Sequence, residues 1–336
     1  MTETVLQSIG PVSDTRRLKL LLYCVGFAAM QLAVLVAMLL IAGRPWFLLH
    51  DQYPGMWQSG YGLRVPHIDC DIVLYGDSSA LTGLDPQIVE QITGLKACNI
   101  SEGTTIQWVV GSDFPLQHYL AVNKRPRYLL AMYTPSIFTP TAKPFAAYYP
   151  EGILYGLQYD HSKAFAIGLL KHPHYALKFS IWAGHALLED VLLKATHRSK
   201  PWVDTRTQRD SRNGIWPYPL PAETHCVRED ASVDLHLLQG DQAGVDAFRS
   251  AYGKDGTTVL VDVDPIPPCE ALQGVYRRRL AGMYDNTMDV VPIRYFNEGD
   301  VHFSPEGSRY ISTRVGQQIK ALMEKEVPRQ EDRRLP

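Results

Sequence analysis

Two short stretches of this chain carry residues able to do covalent chemistry together. The first is Gly76-Asp77-Ser78-Ser79, a run of turn-forming residues. It follows the apolar segment Asp71 to Tyr75 and precedes a helix that the N-cap acid Asp85 and the first-turn Pro86 predict. A serine in such a loop is held rigidly yet exposed, with backbone amides placed to face a developing oxyanion. The second stretch is Asp300-Val301-His302, followed by Phe303, Ser304, Pro305, Glu306 and Gly307. In extended chain, residues i and i+2 share one side, so Asp300 reaches the imidazole of His302 and fixes its tautomer. Ser304 as N-cap and Pro305 as first helical residue start the last helix directly behind the histidine. Serine is a weak nucleophile until an adjacent base takes its proton, and that base needs a third group to orient it. Ser78, His302 and Asp300 therefore make a candidate catalytic triad, in a chain order that elsewhere accompanies a Gly-x-Ser-x-Gly elbow absent here.

The elements that must position these residues alternate. Strands are predicted over Asp71 to Tyr75, Lys96 to Ile100, Arg127 to Tyr133, Thr257 to Val263 and Val290 to Tyr295. Helices are predicted near 106–122, 240–253 and 269–283, with a last one from Pro305 to about Lys325. Such alternation implies an α/β fold with a mostly parallel sheet covered on both faces and functional loops at the carboxyl ends of the strands. Between roughly 138 and 238 it breaks into a helical stretch and then a polar, Pro-rich one, read here as an insertion that serves as a lid or a docking element.

Residues 20–43 carry no charge, and Gln31 is their one strongly polar side chain. At about 1.5 Å per residue the run is long enough for a hydrocarbon layer of roughly 30 Å, and it exceeds the apolar core of a cleaved leader. Arg16, Arg17 and Lys19 precede it and Arg44 alone follows closely, so the positive-inside rule predicts a cytoplasmic amino terminus and a periplasmic remainder. The expected organisation is a cytoplasmic tail 1–19, a transmembrane helix 20–43, a periplasmic linker 44–70, the α/β domain 71–326 with its insertion, and a polar tail 327–336. Trp46, Phe47, Tyr53, Trp57 and Tyr61 form an aromatic cluster at the membrane exit, expected as an interfacial belt, with a docking surface for another membrane protein as the alternative. In an oxidising compartment Cys70, Cys98, Cys226 and Cys269 form an even set with three possible connectivities. Cys70 with Cys98 and Cys226 with Cys269 is the preferred pairing, because the first two fall at adjacent strands.

With 336 residues, 33 Lys+Arg against 35 Asp+Glu, 20% charged residues and 46% apolar ones, the chain is neither wholly disordered nor built as a nucleic-acid binder. Five cysteines without a Cys-x-x-Cys pair do not make a zinc module, and His172-Pro173-His174 lacks a neighbouring acid or thiol to complete a metal site. No metal or other cofactor is expected. The arginines 277–279 are expected to be solvated.

Gly76-Asp77-Ser78 and the His302 to Gly307 spacing resemble the blocks of the SGNH/GDSL hydrolase and acyltransferase superfamily. There the nucleophile follows the first strand and an Asp/His block closes the domain. The resemblance covers about residues 70–326 and implies a flavodoxin-like three-layer α/β/α fold. The family's usual Asp-x-x-His is Asp-x-His in this chain, a spacing familiar in the periplasmic subunits that O-acetylate alginate. Asn99-Ile100-Ser101-Glu102-Gly103-Thr104 looks like the glycine block, which makes the N–H groups of Ser78 and Gly103 oxyanion donors. The Gly-x-Asn-Asp block is replaced by Met132-Tyr133-Thr134-Pro135-Ser136, leaving the Thr134 hydroxyl as the third donor. A single anchor before such a domain is similar to membrane-tethered proteins that acylate envelope polymers beside a multispanning membrane-bound O-acyltransferase, including the D-alanyl transfer protein of lipoteichoic acid. The resemblance thus implies an O-acyltransferase, most simply of acetyl groups, with a polysaccharide acceptor. A periplasmic esterase or deacetylase and a noncatalytic assembly subunit are the alternatives.

Overall fold

The computed structural model describes residues 14–44, 47, 61–101, 113–138, 150–159, 163–196, 210–216, 240–297 and 302–331. Its centre is a sheet of four strands, β1 (Ile72–Gly76), β2 (Ala97–Asn99), β3 (Tyr128–Tyr133) and β4 (Thr258–Val263), in the order β2-β1-β3-β4. Every neighbouring pair is parallel, with Ile72 opposite both Ala97 and Tyr128, and Tyr128 opposite Thr258. Apart from the first two residues of β4, every strand residue is buried, as expected when helices cover both faces of a parallel sheet.

Successive side chains leave a strand on opposite faces, and two separate cores result. Val73, Tyr75, Leu129, Tyr133 and Val261 pack on one face against α5 (Phe114–Val122), α9 (Gln242–Tyr252) and α10 (Gln273–Arg279). Ile72, Leu74, Leu130, Met132 and Leu260 pack on the other against α3 (Ser78–Gly83), α4 (Pro86–Thr93) and α11 (Pro305–Glu331). The short helix α2 (Tyr61–Arg64) lies against α5.

The segment expected as a fifth strand does not extend the sheet. Val290 makes one isolated parallel bridge to Ile266, and Ile293–Tyr295 is a turn of 3-10 helix. Pro292 between them holds φ at −54° and offers no N–H to a ladder.

The helix α1 (Asp14–Ala42) is long and apolar enough to cross a membrane. Three further helices, α6 (Pro150–Tyr159), α7 (Lys163–Lys171) and α8 (Pro173–Ala195), come from the insertion. They form a third apolar cluster with the carboxyl end of α1, in which Ile153, Leu154, Phe179 and Ala183 meet Leu39, Ile41 and Ala42. Gln158 ends α1: its buried Nε2 lies 3.0 Å from the carbonyl oxygens of Ala42, Arg44 and Phe47, so it meets the terminal carbonyl of the helix and the turn that follows, in which Arg44 O also accepts from Phe47 N at 2.9 Å. Phe47 and Tyr61, expected in an interfacial belt, are core residues at 3% and 4% exposure. Composition cannot tell an aromatic at a membrane surface from one that caps a hydrophobic core. Trp46, Tyr53 and Trp57 lie outside the described residues.

Cys70 and Cys98 are joined, with Cα atoms 6.0 Å apart. Cys269 is disulfide-bonded as well, and Cys226, its expected partner, lies outside the described residues. Closing a loop of sequence separation 28 removes denatured-state entropy of about 3–4 kcal/mol in the chain-entropy account. Replacing Cys70 and Cys98 together by alanine therefore lowers the unfolding free energy extrapolated from urea titration by about that amount, and an unchanged free energy would show that the bridge adds nothing.

Candidate functional site

β1 ends in Gly76, and the chain turns at once into α3, whose first residue is Ser78. The sequence places Ser78 in a loop ahead of a helix at Asp85. Instead it opens a short helix of its own, and Asp85 then caps α4 by accepting from Gln87 N at 3.0 Å. Two features force the early turn. A Cβ at Gly76 would overlap the carbonyl oxygen of Met132, so only glycine lets β1 leave the sheet so close to β3. Asp77 is the N-cap of α3, and its Oδ1 accepts from Ser79 N at 3.0 Å and from Ser79 Oγ at 2.5 Å. Its other oxygen accepts from Thr134 N and Thr134 Oγ1, both at 3.1 Å. Asp77 is therefore satisfied by four donors, and it ties the loop after β1 to the loop after β3.

That tie lies where the strand order reverses. From β1 the chain crosses to β2 over the face carrying α3 and α4, and from β2 it crosses to β3 over the opposite face carrying α5. The carboxyl ends of β1 and β3 therefore flank the crevice where open parallel sheets bind ligands. Asp77 and Ser79 are buried there, at 5% and 0% exposure, while Ser78 between them remains partly exposed.

The carboxyl end of α3 is clamped by Asn99, at the end of β2. Its wholly buried amide donates to the carbonyls of Ala80 and Leu84, both at 2.8 Å, and its Oδ1 accepts from Ser101 N at 2.9 Å. The glycine-block candidate thus has a definite structural role at Asn99. Gly103, the residue expected to donate to an oxyanion, lies outside the described residues.

His302 enters from the other end of the chain. Asn297 N donates to His302 O at 2.6 Å, Ser304 N donates to Tyr295 O at 2.9 Å, and Phe296 bridges Phe303 in antiparallel fashion, so residues 297 and 302 close the neck of a loop. Asp300 falls inside that loop, outside the described residues. Ser304 caps α11 as expected, with Gly307 N donating to its Oγ at 3.2 Å, and its hydroxyl donates to Arg294 O at 2.8 Å. The spacing from His302 to Gly307 has a packing reason: any Cβ at Gly307 would overlap the carbonyl oxygen of Tyr295.

The two motif-bearing stretches meet on α3. Thr82 Oγ1 donates to Ser78 O at 3.1 Å and itself accepts from Phe303 N at 3.5 Å. The Phe303 ring packs beneath Gly83 so tightly that a Cβ there would clash with it. The residue following the histidine is thereby held one helical turn from the serine, and His302, like Ser78, is partly exposed among buried neighbours. No family model, no curated protein and no solved structure matches the chain, so these contacts carry the functional argument.

Thr134 does not have the role expected from its position. Its N–H and its hydroxyl are both directed to Asp77, with Ser136 Oγ 3.3 Å from the hydroxyl. A hydroxyl has one proton, so Thr134 acts here as a tie between loops rather than as an oxyanion donor.

One acid at this end of the sheet is not distinguished by the sequence. Asp264 follows β4 directly, its N–H donates to Tyr133 O at 2.9 Å, and its side chain is buried beside Asp77 and Ser79. Burial, and then the Asp77 carboxylate, hold its carboxyl far above the usual carboxylate range, against a smaller opposing contribution from the Ser79 hydroxyl. This favours the neutral acid. The one signal was its place at the carboxyl end of a buried strand. Elsewhere, His172 and His174 are exposed with ring centroids 6.1 Å apart, and among the described residues no group of three or more metal-ligating side chains converges. Arginines 277–279 are exposed.

Proposed function

We propose that this protein is a membrane-anchored serine O-acyltransferase of the envelope, with a flavodoxin-like SGNH domain that acylates a polysaccharide. The observation that carries the reading is the shared contact of Thr82 with the backbones of Ser78 and Phe303, since it joins a nucleophile segment and a base segment from opposite ends of the chain. The strand order β2-β1-β3-β4 supports the fold, being that of the first four strands of flavodoxin-like sheets. The apolar α1, with Arg16, Arg17 and Lys19 before it, supports an inner-membrane anchor with the domain in the periplasm.

In the proposed reaction His302, oriented by Asp300, takes the Ser78 proton as Ser78 Oγ attacks the acyl carbonyl. The tetrahedral oxyanion is met by the N–H groups of Ser78 and Gly103. Its collapse breaks the bond to the donor's leaving group, which departs with the proton from His302 and leaves a Ser78 ester. A sugar hydroxyl then gives its proton to His302 and attacks the ester carbonyl. Ser78 leaves, recovering the proton. A multispanning membrane-bound O-acyltransferase is the proposed source of the acyl group.

A serine-directed fluorophosphonate is expected to label the full chain on the peptide containing Ser78 and to leave Ser78→Ala unlabelled. The engagement of Thr134 with Asp77, which removes the expected third oxyanion donor, favours a second reading as a noncatalytic assembly subunit. Absence of labelling at Ser78 would decide for it. Rapid turnover of an acetyl ester in water, with no transfer to sugar, would instead identify an esterase.

A further inference from the structure

We infer that α7 and α8 form a second membrane contact, lying in the phospholipid layer beside the carboxyl end of α1, with Ile167, Leu170, Leu177, Ile181, Leu188 and Leu192 against acyl chains. The inference rests on the reading of α1 as a membrane span and adds to it a lipid-facing surface built from the insertion.

The surface is a stripe. Along α8 the exposed positions include His174, Leu177, Ile181, His185, Leu188 and Leu192, a spacing of three or four residues that keeps them on one helix face. Ile181 is 67% exposed, and Leu170 on α7 is 79% exposed. The opposite face is not available to a partner, because Phe179, Ala183 and Ala186 are buried in the cluster shared with α1 and α6. A mainly apolar stripe of this extent is not normally left in water.

What covers it follows from depth. On α1, residues 15–34 are all exposed, and burial begins only at Leu35, Met38, Leu39 and Ala42, a face running to the end of the apolar segment. At about 1.5 Å per residue this face is roughly 10 Å long. If residues 20–43 fill the hydrocarbon layer, whatever packs on that face lies in its last 10 Å or so. The helix found there is α8, whose Gly184 would place a Cβ 3.8 Å from Met38 Sδ. Packed helices have axes about 8–10 Å apart, so α8 cannot contact this part of α1 and remain outside the layer. The exposed Leu32, Val36 and Leu40 of α1 face the same layer, and the occupant common to both surfaces is lipid.

The polar residues fit a shallow position. His174 and His185 interrupt the stripe, and Lys171 and Lys178 flank the α7 to α8 junction, where long stems let the ammonium groups reach headgroups. Among the described residues α1 is the one helix apolar enough to span, so α7 and α8 lie within the interface without crossing it.

The test uses the full chain with Cys24 replaced by alanine, reconstituted in phosphatidylethanolamine/phosphatidylglycerol vesicles. Single cysteines at Ile181, Leu188, Leu32 and Lys320 carry an environment-sensitive fluorophore, and brominated lipid or aqueous iodide is the quencher. The expected result is loss of emission to brominated lipid at 181 and 188 matching that at 32, with 320 quenched by iodide alone. Iodide quenching at 181 and 188 with lipid quenching at 32 would overturn the inference while leaving the α1 span intact. Shielding of 181 and 188 from both quenchers would overturn it in favour of a protein surface, from a partner or a second copy. Iodide quenching at 32 would overturn the span and this inference with it.

Discussion

Ser78→Ala and His302→Ala will each lower acyl transfer by about 10⁴- to 10⁶-fold, and the double variant will be no slower than the slower single one. The magnitude is that of serine triads on other folds, where nucleophile and base act as one unit and their losses do not add. The base has nothing to activate once the hydroxyl is gone, and the hydroxyl is inert at neutral pH once the base is gone. Two independent structural roles would instead give losses that multiply. Ser79 supplies the control, because it neighbours Ser78 in sequence but is wholly buried, with its hydroxyl donating to Asp77. Ser79→Ala therefore costs stability, through the lost hydrogen bond on the α3 cap, while Ser78 retains its reaction with fluorophosphonate. The measurement is transfer of a labelled acetyl group to an oligosaccharide by the full chain in nanodiscs, with circular dichroism confirming that each variant is folded. Wild-type transfer by Ser78→Ala, or losses in the two single variants that multiply in the double, would remove Ser78 and His302 as one catalytic unit.

The parts of the fold that were legible in the sequence are those with strong local signals. The four strands of the sheet are apolar runs bounded by turn residues, and each forms within one or two residues of its expected place. Ser304 and Pro305 at the start of α11, and Asp85 and Pro86 at the start of α4, are helix starts whose chemistry is local. Helix α3 was not legible, because Ser78-Ser79-Ala80-Leu81-Thr82-Gly83 is a poor helix former by composition. It is held by distant parts of the chain: Asp77 with its tie to Thr134 at one end, Asn99 at the other, and Phe303 beneath it. The misread fifth strand shows the reverse case, in which β-favouring Val290, Val291, Ile293 and Tyr295 form no strand around a proline. At the site, the motif residues Ser78 and His302 could be picked out from type and spacing. The tie between Asp77 and Thr134 and the burial of Asp264 could not, since both arise only when the ends of three strands are brought side by side. An aspartate after a strand looks the same in sequence whether it is solvated or buried beside another carboxyl.

Asp262→Asn will stabilise the protein at pH 8 and leave it unchanged at pH 4. Asp262 lies in β4 opposite Met132, is 1% exposed, and lines a cavity of about 190 Å³ beneath α11 with Asp285, Arg314 and Gln318. Burial pushes its carboxyl up to about 7. The Gln318 amide, donating at 3.1 Å, opposes this in part, Asp285 adds to it, and Arg314 and Arg249 oppose it. An unfolded aspartate titrates near 3.9. Below pH 4 the group is protonated in both states and contributes no pH dependence. Between about 4 and 7 the unfolded chain has released this proton while the folded one still holds it, so unfolding is favoured by up to about 1.4 kcal/mol for each pH unit. Above about 7 both states are ionised and the loss stops growing, at about 4 kcal/mol in total. Asparagine fills the same space and its carbonyl still accepts from Gln318, but it does not titrate. Urea midpoints of wild type and variant should therefore coincide at pH 4 and separate progressively up to pH 7, with the variant more stable. The Asp264 carboxyl is raised in the same direction, in small part by the Asp262 carboxylate itself, so the substitution relieves that repulsion too and adds to the variant's advantage at high pH. Parallel curves from pH 4 to 8 would mean that water entering the cavity solvates the Asp262 carboxylate, and that this end of β4 is not the dry interior the packing implies.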